Sequence, residues 1–217
     1  MVITLNSDTP SIQYLCKKDK RLAKVISMVG PITYELHSDP YDFLVHEIIE
    51  QMLSVKAGNK IYSRLVDLCD GSITPEKVTA LSDAEIKSIG TATSKVNFIR
   101  NLTTTVMNNE INFSSLETLS DGEVFHELTK LKGIGKWTAN MYLIFVLNRL
   151  DILPTNDVAF LQAYQWLYKT DDRTEKTVLK KCKKWKPYSS IASRYLYRAL
   201  DGGFTREEFH LYKNKEE

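Results

Sequence analysis

Two glycines set two positions apart, Gly133 and Gly135 in the run LKGIGKWTAN (Leu131–Asn140), constrain this chain more than any other feature. They bracket Ile134 between two segments of apolar periodicity. Glycine permits positive φ and a close backbone approach where a side chain would block both. The spacing predicts a tight turn between two helices, the second opening at Gly135. Unsatisfied N–H groups and the positive end of the helix dipole would make that opening a place for an anion, with Lys136 adding charge.

Helical periodicity recurs along the chain, so the sequence reads as all-α, with one short strand expected at Val2–Leu5. From Asp42 to Val55 the spacing predicts a broadly buried helix, with Leu44, Ile48 and Met52 on one ridge and Val45, Ile49 and Leu53 on the next. Ser72–Pro75, Ser82–Asp83 and Ser120–Asp121 are turn and N-cap signals, the last starting the helix that enters the hairpin. Pro31, Pro40, Pro154 and Pro187 punctuate other joins. There is no internal repeat and no Gly/Ser-rich linker.

With 217 residues, 43 % of them hydrophobic, the chain can bury a sizeable core. Its longest apolar run, Met141–Leu147, is far short of the ~20 residues that span a bilayer. No signal peptide is visible, so a cytoplasmic location is expected, or a nuclear one in a eukaryote. Cys16, Cys69 and Cys182 are too scattered for a disulfide framework, a zinc site or an iron–sulfur cluster. His37, His46, His126 and His210 are isolated in sequence, so no catalytic divalent metal is expected. The net charge is only +2, but Lys176, Lys180, Lys181, Lys183, Lys184 and Lys186 crowd one stretch, either as a solvated helix face or as phosphate contacts.

The run Leu131–Asn140, followed by Asp157 in LPTNDVAF, resembles the helix-hairpin-helix superfamily of DNA glycosylases, and within it the 3-methyladenine DNA glycosylase II family. Weaker likeness extends to Asp39–Ile61, Ile89–Ile99 and Trp185–Leu200. The resemblance implies two helical subdomains flanking a substrate cleft, without an N-terminal β domain. Residues 1–36 would pack with a C-terminal subdomain, 151–217, that carries Asp157. A central helical barrel, 37–150, would hold the hairpin at about 123–148. The implied activity is that of a monofunctional DNA glycosylase hydrolysing the N-glycosidic bond of alkylated purines, of the 3-methyladenine and 7-methylguanine type, in base-excision repair. Its partner would be double-stranded DNA containing alkylated bases, with no membrane association and a monomer sufficing.

Asp157 carries the implied chemistry. Glycosidic cleavage passes through an oxocarbenium-like sugar, which a fixed negative charge in a poorly hydrated cleft stabilises. The same carboxylate could instead orient or deprotonate water, or it could merely cap the helix running through Phe160, Leu161 and Tyr164. Chain reach is compatible with the first two roles. A helix from Lys136 to Asn148 advances about 20 Å, and the segment Arg149–Asn156, if extended, spans at most about 26–29 Å back.

Trp137 stands where lyase-active relatives place a Schiff-base lysine, so no strand cleavage is expected. By resemblance Trp137, Met141 and Tyr197 line the base pocket, where electron-rich rings suit cationic alkylpurines; the alternative is that they are core residues. Met141 replaces a frequent aromatic and Tyr197 a frequent tryptophan, which points to labile cationic bases. Met52 matches the family's intercalating wedge, yet it also continues the Leu44–Ile48 ridge as a core methionine would. The amides of Gly133, Gly135 and Thr138, with Lys136 and Lys95, would meet phosphate. The carbonyls of Thr129, Leu131 and Ile134 would hold a structural Na+ or K+, and no other cofactor is implied. Two alternatives remain open: a non-catalytic helix-hairpin-helix DNA-binding protein, and an oxidised-guanine or adenine-mismatch glycosylase. The second is disfavoured because the chain lacks both the lysine and a four-cysteine cluster.

Overall fold

The computed structural model describes residues 2–212. In chain order the elements are β1 (Val2–Leu5), α1 (Pro10–Lys18), α2 (Lys20–Val29), β2 (Ile32–Glu35), α3 (Pro40–Glu50), α4 (Val55–Leu68), α5 (Pro75–Ala80), α6 (Asp83–Ser88) and α7 (Thr93–Met107). There follow α8 (Phe113–Leu116), α9 (Asp121–Thr129), α10 (Lys136–Phe145), α11 (Val158–Tyr168), α12 (Glu175–Cys182) and α13 (Ser189–Asp201). The chain forms two compact units, Met1–Leu36 with Asn148–Glu217, and His37–Leu147.

In the second unit α5, α6 and α9 begin where the sequence signals them. Ser82 and Ser120 each form a capping box, with Glu85 and Glu123 reaching back, and Thr74 caps α5. α7 lies at the centre, burying Val96, Ile99 and Leu102 and packing on α3, α5 and α6. Arg100 on α7 donates to Asp83 and to the Val78 carbonyl, both at 2.7 Å, and Tyr41 and Thr103 share a hydrogen bond of 2.8 Å. The bonds tie α3, α5 and α6 to α7 as one scaffold.

Two boundaries differ from expectation. α3 stops at Glu50, so Met52 lies outside the helix and does not continue the Leu44–Ile48 ridge. α10 stops at Phe145 rather than Asn148. The amides of Val146 and Leu147 both fold onto the Tyr142 carbonyl, and Asn148 turns left-handed at φ 51°. The return path to Asp157 is likewise turned rather than extended, with Thr155 N–H on Leu153 O and Asp157 N–H on Pro154 O.

In the first unit β1 and β2 pair antiparallel, Val2 opposite Glu35 and Leu5 opposite Ile32. The second strand was not expected. Helices α1, α2, α11, α12 and α13 enclose a core that includes Leu15, Leu22, Phe160, Leu167, Trp185 and Leu196. Buried charges in this unit include Arg194 and Asp19. The Arg194 guanidinium stacks on the Tyr34 ring at 3.8 Å, and burial pulls its pKa down to about 10. Asp19 is 2 % exposed and accepts from the amides of Arg21 and Leu22, the Tyr168 hydroxyl, Trp185 Nε1 at 2.9 Å and Lys184 Nζ at 3.0 Å. Burial alone would raise its pKa, but the hydrogen bonds from Tyr168, Trp185 and Lys184 outweigh it and hold the carboxyl below its ordinary range.

A depressed native pKa means that Asp19 stabilises the fold above the unfolded-state value of about 3.9. That contribution is lost as pH falls through the lower native value. Asp19→Asn is therefore expected to lower unfolding stability by about 2–3 kcal/mol at pH 7, measured by urea titration. The deficit should shrink steadily below about pH 4.

Candidate nucleic-acid interface and catalytic carboxylate

The Gly-Ile-Gly turn is built by two constraints on Gly133. Its φ is +90°, and a β-carbon there would lie 2.3 Å from Phe98 Cγ on α7. Either condition alone disfavours a side chain, and both together exclude one without rearrangement. Beside it Lys132 N–H donates to Asn101 Oδ1 at 3.2 Å, and Ile134 N–H closes onto the Leu131 carbonyl at 3.1 Å. Gly135 is the N-cap of α10 and supplies no side-chain cap to the first helical amides. Gly135 and Lys136 are exposed, whereas Thr138 is buried. An uncapped N-terminus bearing an exposed lysine favours an anion.

Thr129, Leu131 and Ile134 lie along this turn, as the proposed cation ligands require. Their carbonyls are a neutral, hard oxygen set, which suits a monovalent ion better than a transition metal. The Leu131 carbonyl, already accepting from Ile134, keeps one lone pair for such an ion.

Met52 is the strongest anomaly in the second unit. It is 101 % exposed and has φ 61°. Leu53 N–H bonds to Glu50 O at 3.0 Å, and Gln51 sits at φ −47°, ψ 126°, so Met52 takes the turn position that normally needs glycine. A core role is thereby excluded. A bulky residue at positive φ with its side chain in solvent carries backbone strain without packing return, a combination typical of functional positions.

Lys95 departs from expectation. Its ammonium turns onto the carbonyls of Ile49 and Gln51, each at 2.7 Å, rather than being presented for phosphate. Burial lowers its pKa. It thus caps the end of α3 from a neighbouring helix, and Gln51 Nε2 in turn donates to the Gly133 carbonyl at 2.7 Å.

His46 is not isolated in space, contrary to the sequence reading. Its Nδ1 lies 3.8 Å from Glu47 and its Nε2 3.6 Å from Glu50, with Asn59 Oδ1 at 3.1 Å. Burial would lower the imidazole pKa, but hydrogen bonds to Glu47 and Asn59 and the Glu50 charge raise it overall. Glu47, Glu50 and Asn59 thus give the imidazole polar partners on both ring nitrogens.

Of the expected pocket residues, Met141 is buried and Trp137 is partly buried, both on α10. Tyr197 belongs to the first unit, where it packs partly buried against the core. Asp157 belongs to the first unit as well. It is 6 % exposed, and its Oδ1 accepts from Phe160 N–H at 2.6 Å, capping α11. The next residue, Val158, is 73 % exposed. Of the lysine-rich stretch, Lys184 pairs with Asp19 and Lys186 with Asp151 at 3.1 Å, so part of that charge is structural.

A family model described as HhH-GPD superfamily base excision DNA repair protein matches residues 45–187. The chain is 29 % identical over 183 residues to DNA-3-methyladenine glycosylase 1 of Schizosaccharomyces pombe, covering 82 % of this chain and 80 % of the relative. Its fold is similar to the crystal structure of a DNA-3-methyladenine glycosidase from Bacillus halodurans, with TM-score 0.83 and 33 % identity over 96 % of this chain and 97 % of that one. It is also similar to the S. pombe 3-methyladenine DNA glycosylase in complex with abasic DNA, with TM-score 0.80 and 25 % identity over 95 % and 100 % of the two chains.

Two substitutions should move stability in opposite directions. Gly133→Ala combines a strained φ with a clash against Phe98 and is expected to cost at least about 2 kcal/mol. Met52→Gly relieves a left-handed residue that packs on nothing and is expected to gain about 1 kcal/mol. Denaturant midpoints compared with the parent protein at equal m-value check both signs.

Proposed function

We propose, from the premise that the chain belongs to the HhH-GPD superfamily of base excision DNA repair proteins, that it is a DNA glycosylase releasing alkylated purines. The observation carrying this reading is that the family match spans both the hairpin and Asp157, in a chain similar along most of its length to proteins named as 3-methyladenine glycosylases. The amides at Gly133 and Gly135, with Lys136 beside them, would take the phosphate backbone. Met52 would enter the duplex where a nucleotide leaves the stack, offsetting an unstacking cost of a few kcal/mol. A Na+ or K+ on the carbonyls of Thr129, Leu131 and Ile134 would stiffen the turn and add positive field beneath the phosphate.

The leaving groups that fit best are cationic. Alkylation at N3 or N7 places positive charge on the purine, which weakens the bond to the sugar and favours contact with aromatic faces such as Trp137 and Tyr197. As the bond stretches, the electron pair leaves with the base and positive charge develops on the sugar. The Asp157 carboxylate would stabilise that charge, and water completes the hydrolysis at the sugar carbon. Having tryptophan at position 137, the chain offers no amine there to attack the sugar, so the product would be an intact strand with an abasic site.

A second reading has one observation in its favour. Asp157 already serves as the cap of α11, a sufficient structural reason for its presence in a non-catalytic DNA-binding protein of the same fold. Purified protein incubated with methylated DNA separates the two: free 3-methyladenine or 7-methylguanine, identified chromatographically, is expected from the enzyme. Asp157→Asn should reduce release by about 100-fold or more, roughly 2.7 kcal/mol of transition-state stabilisation, with DNA affinity retained. Borohydride should trap no covalent adduct. Absence of any released base from the folded wild-type protein would favour the binding module.

A further inference from the structure

We infer that Gln51 is a positioning residue that, together with a ridge of α7, sets the distance between the Met52 turn and the hairpin. The inference rests on the reading above, in which Met52 enters the duplex while the hairpin holds phosphate. Lys95, Phe98 and Asn101 follow one another at three-residue intervals along α7 and so share a helix face. Each meets one of the two segments. Lys95 binds the carbonyls of Ile49 and Gln51. Phe98 occupies the space where a Gly133 side chain would stand. Asn101 accepts from the Lys132 amide. The Gln51 side chain closes the circuit by donating to the Gly133 carbonyl across 82 positions of sequence.

The consequence for Met52 is specific. Its side chain packs on nothing, so its direction is set only by the backbone of the turn. Gln51 is that turn's preceding residue, and both its carbonyl and its amide side chain are held, the first by Lys95 and the second hydrogen-bonded to Gly133. A wedge on a loose turn would have to be ordered each time it entered DNA, at an entropic cost. A turn tied to the phosphate-gripping loop presents the wedge at a fixed offset from the gripped phosphate. Gln51 needs no contact with substrate for this. It acts through Met52.

A double-mutant cycle tests the claim. Base release is measured under single-turnover conditions on 7-methylguanine duplex. Wedge entry is followed by the fluorescence of 2-aminopurine beside a tetrahydrofuran abasic-site analogue, which needs no chemistry. Gln51→Ala is expected to slow release by about tenfold and to lose most of the fluorescence rise, with the dissociation constant changed by less than about threefold. In a Met52→Ala background the same change should cost less than about twofold, because its effect passes through a side chain already removed. Gln51→Glu, which turns the donor into an acceptor facing the Gly133 carbonyl, should behave as Gln51→Ala does, and Lys95→Arg should retain the parent's fluorescence rise where Lys95→Met loses it. An equal loss in both Met52 backgrounds, or an unchanged fluorescence rise in folded Gln51→Ala and Gln51→Glu, overturns the inference. A wild-type protein that unstacks 2-aminopurine yet releases no base would instead count against the glycosylase reading and leave this one standing.

Discussion

The contact on which the second unit depends is the one between a glycine and an aromatic ring. At Gly133 the backbone passes so near Phe98 that a β-carbon would fall 2.3 Å from the ring. That approach lets the hairpin lie against α7, which brings Lys132 to Asn101 and the Gly133 carbonyl to Gln51. α7 in turn is fixed by its buried face and by Arg100 on the short helices α5 and α6. The exposed N-terminus of α10 thus inherits its position from α7. Rigid elements place functional backbone more accurately than loops do, and the hairpin borrows that rigidity.

How much of this is legible in the sequence depends on the range of the interaction that decides each feature. The starts of α5, α6 and α9 are written locally in Thr74, Ser82 and Ser120, and the turn at Gly133 in its own residue type. The end of α3 is not. Glu50, Gln51, Met52 and Leu53 are all competent helix formers, with no glycine or proline among them. What ends the helix is Lys95, more than 40 residues onward, binding the carbonyls of Ile49 and Gln51 that further helix would have needed. Periodicity therefore ran through a stop it could not see and placed Met52 on a buried ridge. The same blindness explains Asp19, whose partners Tyr168 and Trp185 lie 149 and 166 positions away. It also explains Lys95 and Lys184, which read as free positive charge in sequence and are committed to oxygen atoms in the fold.

Residues that look alike on paper divide sharply in space. Asp19 and Asp157 are both buried aspartates that cap helices. Asp19 is additionally surrounded by a phenol, an indole and an ammonium, an arrangement that consumes the charge in holding α2, α11 and the segment at Trp185 together. Such a carboxylate has little left for chemistry, and its removal should be felt as lost stability. The distinction is not one that residue type, or even burial, can draw.

For Asp157, capping and the proposed catalytic role are compatible, and the first would assist the second. A carboxylate that must stabilise a cationic sugar has to be held in one orientation before the charge develops, because reorganisation during the reaction would cost what the interaction gains. The Phe160 amide, 2.6 Å from Oδ1, supplies that orientation from a rigid helix end. Coulombic attraction to a developing oxocarbenium ion depends on the charge of the whole group at a distance of a few ångströms. Under the proposed function, a carboxylate oriented in this way would act as a counter-charge already in place before the sugar–base bond stretches.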